Sequence, residues 1–274
     1  MEKQTKKWLT PALLVSFIAG VFLFFWVQLN KPVPVKEIAP APEIVLPEPV
    51  TVTQEPAYPV PETVAEEPEE EPLPTLEDSD PAISAAIISL LGNTDLSKHL
   101  ATDSLIPRIV ATVDNLVRPR AAERLRPISG LPGQFVVTVA GETTDGVTEY
   151  LLDPSNYQRY DWLIARVAQV KIPAVTATYQ RYYPLFQQAY SDLGYPDGYF
   201  NDRLIVVIDD LLATPNIDGP LRLVRPHVLY QFADPALESL SAGQKALLRM
   251  GRENAAVVKG KLRELREQLA AMAQ

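Results

Sequence analysis

Residues 173–214 decide the fold of this chain, and they read PAVTATYQRYYPLFQQAYSDLGYPDGYFNDRLIVVIDDLLAT. The stretch predicts two packed helices joined by a turn rich in Tyr, Asp and Gly. Its first half carries aromatic residues at spacings of four, three and four, which places them on one helical face; they are Tyr179, Tyr183, Phe186 and Tyr190. Such a stripe usually buries a large apolar area, so we interpret it as part of the core.

Proline and glycine set the breaks in this stretch. Pro184 lies inside the first helical pattern, where its missing N–H predicts a kink. Gly194 ends that helix, and residues 195–198, Tyr-Pro-Asp-Gly, form a strong turn signal. Asn201 or Asp202 is then expected to cap the second helix. The apolar face of that helix consists of Leu204, Val207, Ile208, Leu211 and Leu212.

Around this centre, residues 76–274 are expected to form a mainly α domain, an α+β fold with one or two small β-hairpins. Helices are predicted from Asp80, which would cap its own helix, over residues 105–117, over 153–170, and from Asp234 and Ser241. Residues 135–139 and 147–151 predict a hairpin, and 221–224 and 228–232 two further short strands. The last helix, 252–272, has an apolar seam that favours packing on the domain over a dimeric coiled coil.

The N-terminal part has a different composition. Residues 8–29 contain no charged residue over 22 positions, enough for a transmembrane helix, and Lys3, Lys6 and Lys7 precede them. This favours a single-pass membrane anchor, with residues 1–7 as a cytoplasmic tail and the domain outside the cytoplasm. In a bacterium, that is the inner membrane with the domain in the periplasm. A cleavable signal peptide is the alternative, but the apolar run ends in Phe24, Phe25 and Trp26 rather than in small residues.

A spacer is expected between anchor and domain. Residues 30–75 hold twelve prolines and ten glutamates, a composition typical of a disordered linker. They carry most of the formal charge of −9, so the domain itself is close to neutral. No basic patch indicates nucleic acid as a partner. The alternative to a plain spacer is a proline-rich ligand for a partner, although no specific motif supports it.

Five longer strings carry a resemblance to a known family. They are ATVDNL (111–116), LLDPSNYQRYD (151–161), YPLFQQAYSDLGYPDGYFNDRL (183–204), VLYQFADPALESLSAGQKALLRMG (228–251) and ENAAVVKGKLRELR (253–266). Together with the anchor and the spacer, they resemble the bacterial domain-of-unknown-function family 3014 over roughly residues 76–270. The resemblance implies a membrane-anchored envelope protein and implies no activity or catalytic residue.

The turn after the aromatic helix offers the best candidate binding residues: Tyr195, Asp197, Tyr199, Asn201 and Asp202. Flat aromatic faces beside short acceptors suit sugar rings or extended peptides, and equally suit a tightly bonded structural turn. A second set, Arg118, Arg120, Arg124 and Arg126, has the geometry for phosphate or carboxylate groups, with internal ion pairs as the alternative.

Signals for catalysis are weaker. The candidates for hydrolytic chemistry are Asp197, Asp202, Asp209 and Asp210. The alternative is a helix cap for Asp202 and solvated or Arg203-paired charges for Asp209 and Asp210. Ser241 and Lys245 stand four apart, but Ser241 is better explained as a helix cap. His99 and His227 lack companions at ligand spacing, so no metal and no cofactor is expected.

The expected function is therefore an envelope interaction or scaffold module whose partner is an unknown envelope protein or cell-wall glycan. The alternative is a periplasmic hydrolase or glycan-binding protein that acts on cell-wall material through residues 195–210. An interaction module predicts a shallow surface with paired or exposed carboxylates. A hydrolase requires a deep cleft with two converging carboxylates.

Overall fold

A computed structural model describes residues 55–61, 72–92, 99–121, 123–128 and 133–272. All of them belong to one compact unit, Thr53–Gln274. The predicted anchor, residues 8–29, and most of the predicted spacer lie outside the described residues. Of the helices that are described, none is both long enough and apolar enough to cross a membrane.

The described part of the chain is mainly helical, with a small sheet, as the sequence predicts. The helices are α1 (Asp80–Leu91), α2 (Leu105–Leu116), α3 (Ser155–Gln158), α4 (Asp161–Gln169), α5 (Ile172–Asp192), α6 (Phe200–Leu212), α7 (Pro235–Glu238), α8 (Ala242–Arg249) and α9 (Arg252–Met272), with a 3-10 turn at Glu123–Leu125. The strands are β1 (Val137–Glu142), β2 (Thr148–Leu152), β3 (Arg222–Val224) and β4 (Gln231–Phe232).

The predicted hairpin and the two further predicted strands join into one antiparallel sheet in the order β1-β2-β3-β4. Gly146 lies in the turn of the first hairpin with a φ of 74°, a conformation that glycine adopts without strain. The register between β1 and β2 shifts between Val139 and Gly141, which marks a bulge. Leu223 of β3 is fully buried and, with Leu152 and Phe232, forms the core under this sheet.

The aromatic stripe of α5 belongs to the main core, as predicted. Tyr190 is buried, and the Phe186 and Phe200 rings stack with centroids 5.7 Å apart. This stack ties α5 to the start of α6. The helix runs without interruption through Pro184, whose side chain is exposed. The two helices predicted from residues 173–214 therefore pack as the centre of the fold.

The seam of α9 packs on the domain's own helices, which confirms the preferred interpretation. Leu269 is fully buried and forms a cluster with Ile205 and Ile208 of α6. Leu262 and Leu265 flank the same cluster. The apolar face of the last helix is therefore covered by α4, α5 and α6.

Three predicted helix boundaries are wrong. Asp80 is the first residue of α1, and its carboxylate accepts the N–H groups of Ser104 and Leu105 at 2.7 Å, so it caps α2 instead of its own helix. The helix expected over 153–170 is two helices, α3 and α4. The third error concerns α6, which begins at Phe200, one residue before the expected cap.

The start of α6 is held by a glutamine of α5. Gln187 accepts the N–H of Phe200 at 2.9 Å through its side-chain oxygen and donates to the carbonyl of Gly198 at 2.8 Å. Gln187 thus satisfies a backbone donor that the first turn of a helix leaves open. Asn201 and Asp202 are thereby inside the helix, with their side chains available for other partners.

Candidate functional site

The Tyr195–Gly198 turn is built into the core. The N–H of Gly198 donates to the Tyr195 carbonyl at 3.1 Å, and the Tyr195 ring stacks on that of buried Tyr190, with centroids 4.7 Å apart. A side chain at position 198 would meet the Tyr190 ring at 3.1 Å, so this stack favours glycine there. Asp197 is exposed, and Tyr195 and Tyr199 are half-buried. The half-buried Tyr195 ring therefore supports the fold.

A buried carboxylate anchors this turn to α2. Asp114 is only 1% exposed and binds Arg118 at 2.6 Å and Arg203 at 2.9 Å. The Tyr195 hydroxyl accepts from Arg118 at 3.1 Å and donates to Asp114 at 3.4 Å. The negative charge of Asp114 raises the pKa of Arg118. This network joins α2, α6 and the turn, and it satisfies a charge that burial alone would penalise.

One of the four arginines predicted to bind an anion, Arg118, belongs to this network. Arg118 is bound to Asp114, which an added anion would have to displace. Arg120, Arg124 and Arg126 are exposed, and the backbone carbonyl of Arg124 accepts from the Arg108 guanidinium at 2.8 Å. Anion binding by these arginines stays a prediction.

Two of the acidic residues considered for hydrolysis, Asp209 and Asp210, have separate structural partners. Asp209 forms a two-bond ion pair with Arg266 of α9. Asp210 accepts from the hydroxyl of Ser241 at 2.6 Å. Of the two alternatives to hydrolysis, pairing with Arg203 is wrong, because that guanidinium binds the buried carboxylate of Asp114 in α2. Asp209 and Asp210 are therefore engaged on different elements and do not share a substrate position.

The Ser241–Lys245 dyad does not form. Ser241 and Gln244 make a reciprocal capping box at the start of α8, as the cap interpretation predicted. Lys245 donates to the carbonyl of Glu238 at 2.9 Å and to its carboxylate at 3.2 Å.

His99 lies against the ring of Trp162, with centroids 5.3 Å apart. Across the described ranges, no group of three or more His, Asp or Glu side chains has the arrangement to hold a metal ion.

Asp202 binds a distant piece of the chain. Its two carboxylate oxygens accept the backbone N–H groups of Ala57 and Tyr58, at 2.9 and 2.8 Å. These residues lie within the segment expected to be a spacer, most of which lies outside the described residues. One carboxylate that accepts two consecutive N–H groups fixes the direction and register of a peptide, because each oxygen bonds a different amide.

Neighbouring amides extend this contact along the peptide. Asn201 is fully buried, and its side-chain nitrogen donates to the carbonyl of Tyr58 at 2.9 Å, while its oxygen accepts from the Tyr179 hydroxyl at 3.2 Å. Gln180 donates to the carbonyl of Pro61 at 3.1 Å. Side chains from α5 and α6 therefore bind three backbone positions of residues 55–61.

The peptide also makes an apolar contact. Tyr58 packs against the Ile205, Ile208 and Leu269 cluster between α6 and α9. Along residues 55–61, exposed and half-buried residues alternate, and positions 56, 58 and 60 are the half-buried ones. We call the surface formed by Tyr179, Gln180, Asn201, Asp202 and this cluster the peptide groove.

The groove has a low-dielectric floor. Burial, with the nearby Tyr183 and Asp202, raises the pKa of Tyr179, and burial raises the pKa of Tyr183 to about 12. Both phenols act as hydrogen-bond donors, Tyr179 to the side-chain oxygen of Asn201 at 3.2 Å and Tyr183 to that of Gln187 at 3.1 Å. A protonated Tyr179 holds the amide of Asn201 with its nitrogen toward the peptide.

Of the residues that contact the peptide, the sequence identifies Asn201 and Asp202 as candidates for binding. It places Tyr179 in the core stripe and gives no signal for Gln180. Tyr58 is a lone aromatic residue among prolines and glutamates, and this was the available signal. The partners lie about 120 to 145 positions apart, so no local pattern relates them.

The chain matches one known protein family. Residues 105–266, more than half of the 274-residue chain, match a family described as protein of unknown function (DUF3014). No curated protein and no solved structure is significantly similar to the chain. The match includes the four polar side chains of the groove and leaves out residues 55–61. The chain belongs to this family, which confirms the resemblance stated from the sequence.

Proposed function

We propose that this member of the DUF3014 family is an interaction module of the bacterial envelope, and that its peptide groove recognises short proline-flanked segments of partner proteins. The observation that carries the proposal is the contact with residues 55–61. That contact uses polar side chains aimed at backbone groups, which is how recognition sites for extended peptides obtain affinity without depending on every side chain.

The groove selects for a particular arrangement of amides. Ala57 and Tyr58 both donate to Asp202, so neither position accepts proline, which has no N–H. Pro56, Pro59 and Pro61 flank them, and the groove requires no donor from these three. Prolines restrict the free peptide and so reduce the entropy lost on binding. The preferred partner segment is therefore a pair of non-proline residues, the second aromatic, between prolines.

The attached segment then acts as a resident ligand. Because it is part of the same chain, its effective concentration at the groove is on the order of millimolar, which is typical of short tethers. A partner must exceed this local concentration or bind more tightly. The groove thus discriminates against weak ligands and opens only for segments that reproduce or improve these contacts.

A hydrolase is the less supported role. It needs two carboxylates that converge on a substrate. Asp209 and Asp210 are engaged by Arg266 and Ser241, and Asp202 by backbone amides. Glycan binding would use the turn aromatics, of which Tyr195 is stacked on Tyr190. We therefore favour peptide recognition over cell-wall chemistry.

The proposed setting is the periplasmic face of the inner membrane. Residues 8–29 would anchor the chain and the proline-rich spacer would hold the domain away from the bilayer. A phosphatase fused after Gln274 should be active in a bacterial host, and a reporter that needs the cytoplasm should be inactive. The reverse pair of activities would place the domain on the other side of the membrane.

The binding test uses a variant of the full chain, in detergent micelles, whose own segment no longer fills the groove. Ala57→Pro removes one of the two N–H groups that Asp202 accepts, and Tyr58→Ala removes the aromatic contact; we call this variant the opened chain. A fluorescent peptide of sequence EPAYPVPE, residues 55–62, should bind this variant at least tenfold more tightly than the unaltered chain, measured by anisotropy. Binding should disappear when Asp202→Ala is added.

A matched peptide makes the test specific. In EPPYPVPE the first clamped N–H is absent, and we expect at least a tenfold loss of affinity for the opened chain. Equal affinities of the two peptides would show that binding does not depend on this backbone N–H. Failure of the opened chain to bind EPAYPVPE would refute the proposal.

A further inference from the structure

A second site lies away from the peptide groove, in a cavity of about 210 Å³ beside the start of α9. One wall is the loop after α6, residues 214–219, and the floor is apolar, with Leu221, Leu247 and Leu248. The ring of Tyr157 forms another wall. It lies so close to the chain at Gly251 that a Cβ there would meet the ring at 2.8 Å. Asn216, Asp218, Arg252 and Lys259 also line the cavity, so it combines an apolar part with polar and charged groups.

A lysine lines this cavity. Lys259 is only 7% exposed, and its ammonium group donates to the backbone carbonyl of Thr214, just after α6. Within the described residues, no carboxylate forms an ion pair with it, and the charge that shifts its pKa, that of Arg263, has the same sign. Burial and this neighbour both lower the pKa of Lys259.

The Thr214 carbonyl satisfies the lysine only in part. The negative end of the α6 dipole offsets some of the charge, as a C-terminal lysine cap does. However, an ammonium group has three N–H donors, and this carbonyl accepts one of them. Buried charges in proteins are normally paired, because an unpaired one loses its hydration without compensation. An anion in the cavity would supply the missing partner.

We infer that the cavity binds a small monocarboxylate, with its carboxylate on Lys259 and its apolar body against Tyr157, Leu247 and Leu248. The chemistry favours one negative charge. Arg252 at the cavity rim is already paired with Asp218 at 2.5 Å, so a phosphate dianion would leave its second charge without a cation. An apolar body fits against the side chains of Leu247 and Leu248 and the face of the Tyr157 ring.

The test uses benzoate as the probe. Titration of the full chain in detergent micelles, followed by calorimetry at constant ionic strength, should show saturable benzoate binding. Lys259→Met keeps the length and apolar stem of the side chain and removes the charge, and it should weaken binding at least tenfold. Inorganic phosphate at the same concentrations should bind at least tenfold more weakly than benzoate.

A second pair of variants separates the ligand site from the cap of α6. Ala255 lines the cavity, whereas Ala256 next to it is exposed. Ala255→Leu fills the cavity with Lys259 left in place, and should abolish benzoate binding. Ala256→Leu adds the same bulk outside and should bind like the unaltered chain. Benzoate binding that survives Lys259→Met or Ala255→Leu, or no binding by the unaltered chain, would overturn the inference.

Discussion

Removal of the Asp202 carboxylate should release residues 55–61 without unfolding the domain. Asp202 is the acceptor for two N–H groups, those of Ala57 and Tyr58. A hydrogen bond to a charged group contributes about 1.5–3 kcal/mol, and the lower value applies here because the Ala57 bond is exposed to water. Two such bonds give about 3 kcal/mol for the bound segment, and each 1.4 kcal/mol is about tenfold in population.

Amide hydrogen exchange measures this directly. Pro56, Pro59 and Pro61 have no N–H, so the amides of Ala57 and Tyr58 report on the segment with little overlap. Asp202→Ala should lower their protection by about a hundredfold. Asp202→Asn keeps one acceptor oxygen and should give an intermediate loss.

The rest of the domain supplies the control. Asp197→Ala removes an exposed carboxylate from the adjacent turn and should leave the two amides protected as in the unaltered chain. The amides of α6 should keep their protection in Asp202→Ala, because Ile205 and Ile208 stay buried against α9. Unchanged protection of Ala57 and Tyr58 in Asp202→Ala would refute the account of the groove.

Three further expectations concern stability. Tyr195→Ala loses a ring stack and two hydroxyl contacts, so thermal melts should show a free energy of unfolding lower by about 2–3 kcal/mol. Tyr199→Ala should lower it less. Equal effects of the two changes would argue against the role given to the stack. Asp114→Asn should cost about 3–5 kcal/mol in urea unfolding because it leaves two arginines without a buried partner, and Asp218→Asn, from an exposed pair, no more than about 0.5 kcal/mol; similar costs would contradict the role of burial. Burial lowers the pKa of Lys259 from its ordinary 10.5, so just below that pH the unfolded chain binds more protons than the folded one. The free energy of unfolding should therefore rise with pH in this window, and Lys259→Met should remove the rise. The same rise in Lys259→Met as in the unaltered chain would contradict the burial of the charge.

The helical part of the fold was predictable because it depends on local periodicity. The aromatic stripe of α5 and the seam of α9 repeat at helical spacing, and both are covered in the structure. Gly92 ends α1 in the left-handed conformation, as expected for a glycine after an apolar helix.

The errors came from side chains whose partners are remote in sequence. Asp80 has the spacing of a local cap, yet its carboxylate reaches amides 24 and 25 positions away. Asp202 was expected to cap its own helix, but Gln187 serves the first N–H of α6 and frees Asp202 for the peptide. Local propensity cannot choose between these outcomes, because the competing partner enters only after the chain has folded.

Residues 55–61 show the limit of composition as a guide. A segment rich in Pro and Glu cannot form a core of its own, and the prediction of disorder follows from that. It does not account for a surface elsewhere that accepts the N–H groups of Ala57 and Tyr58 and covers the Tyr58 ring. The site could be predicted only as far as Asn201 and Asp202, without the segment that they bind.

The most direct test of the central claim is a titration of the isotopically labelled, unaltered chain with unlabelled EPAYPVPE, followed by NMR. If the groove accepts such segments from outside, the amide signals of Ala57 and Tyr58 should move to the positions of an unbound peptide. The side-chain amide signal of Asn201 should stay nearly where it was, because a peptide carbonyl replaces that of Tyr58. Saturating peptide that leaves the signals of Ala57 and Tyr58 unmoved would contradict the account.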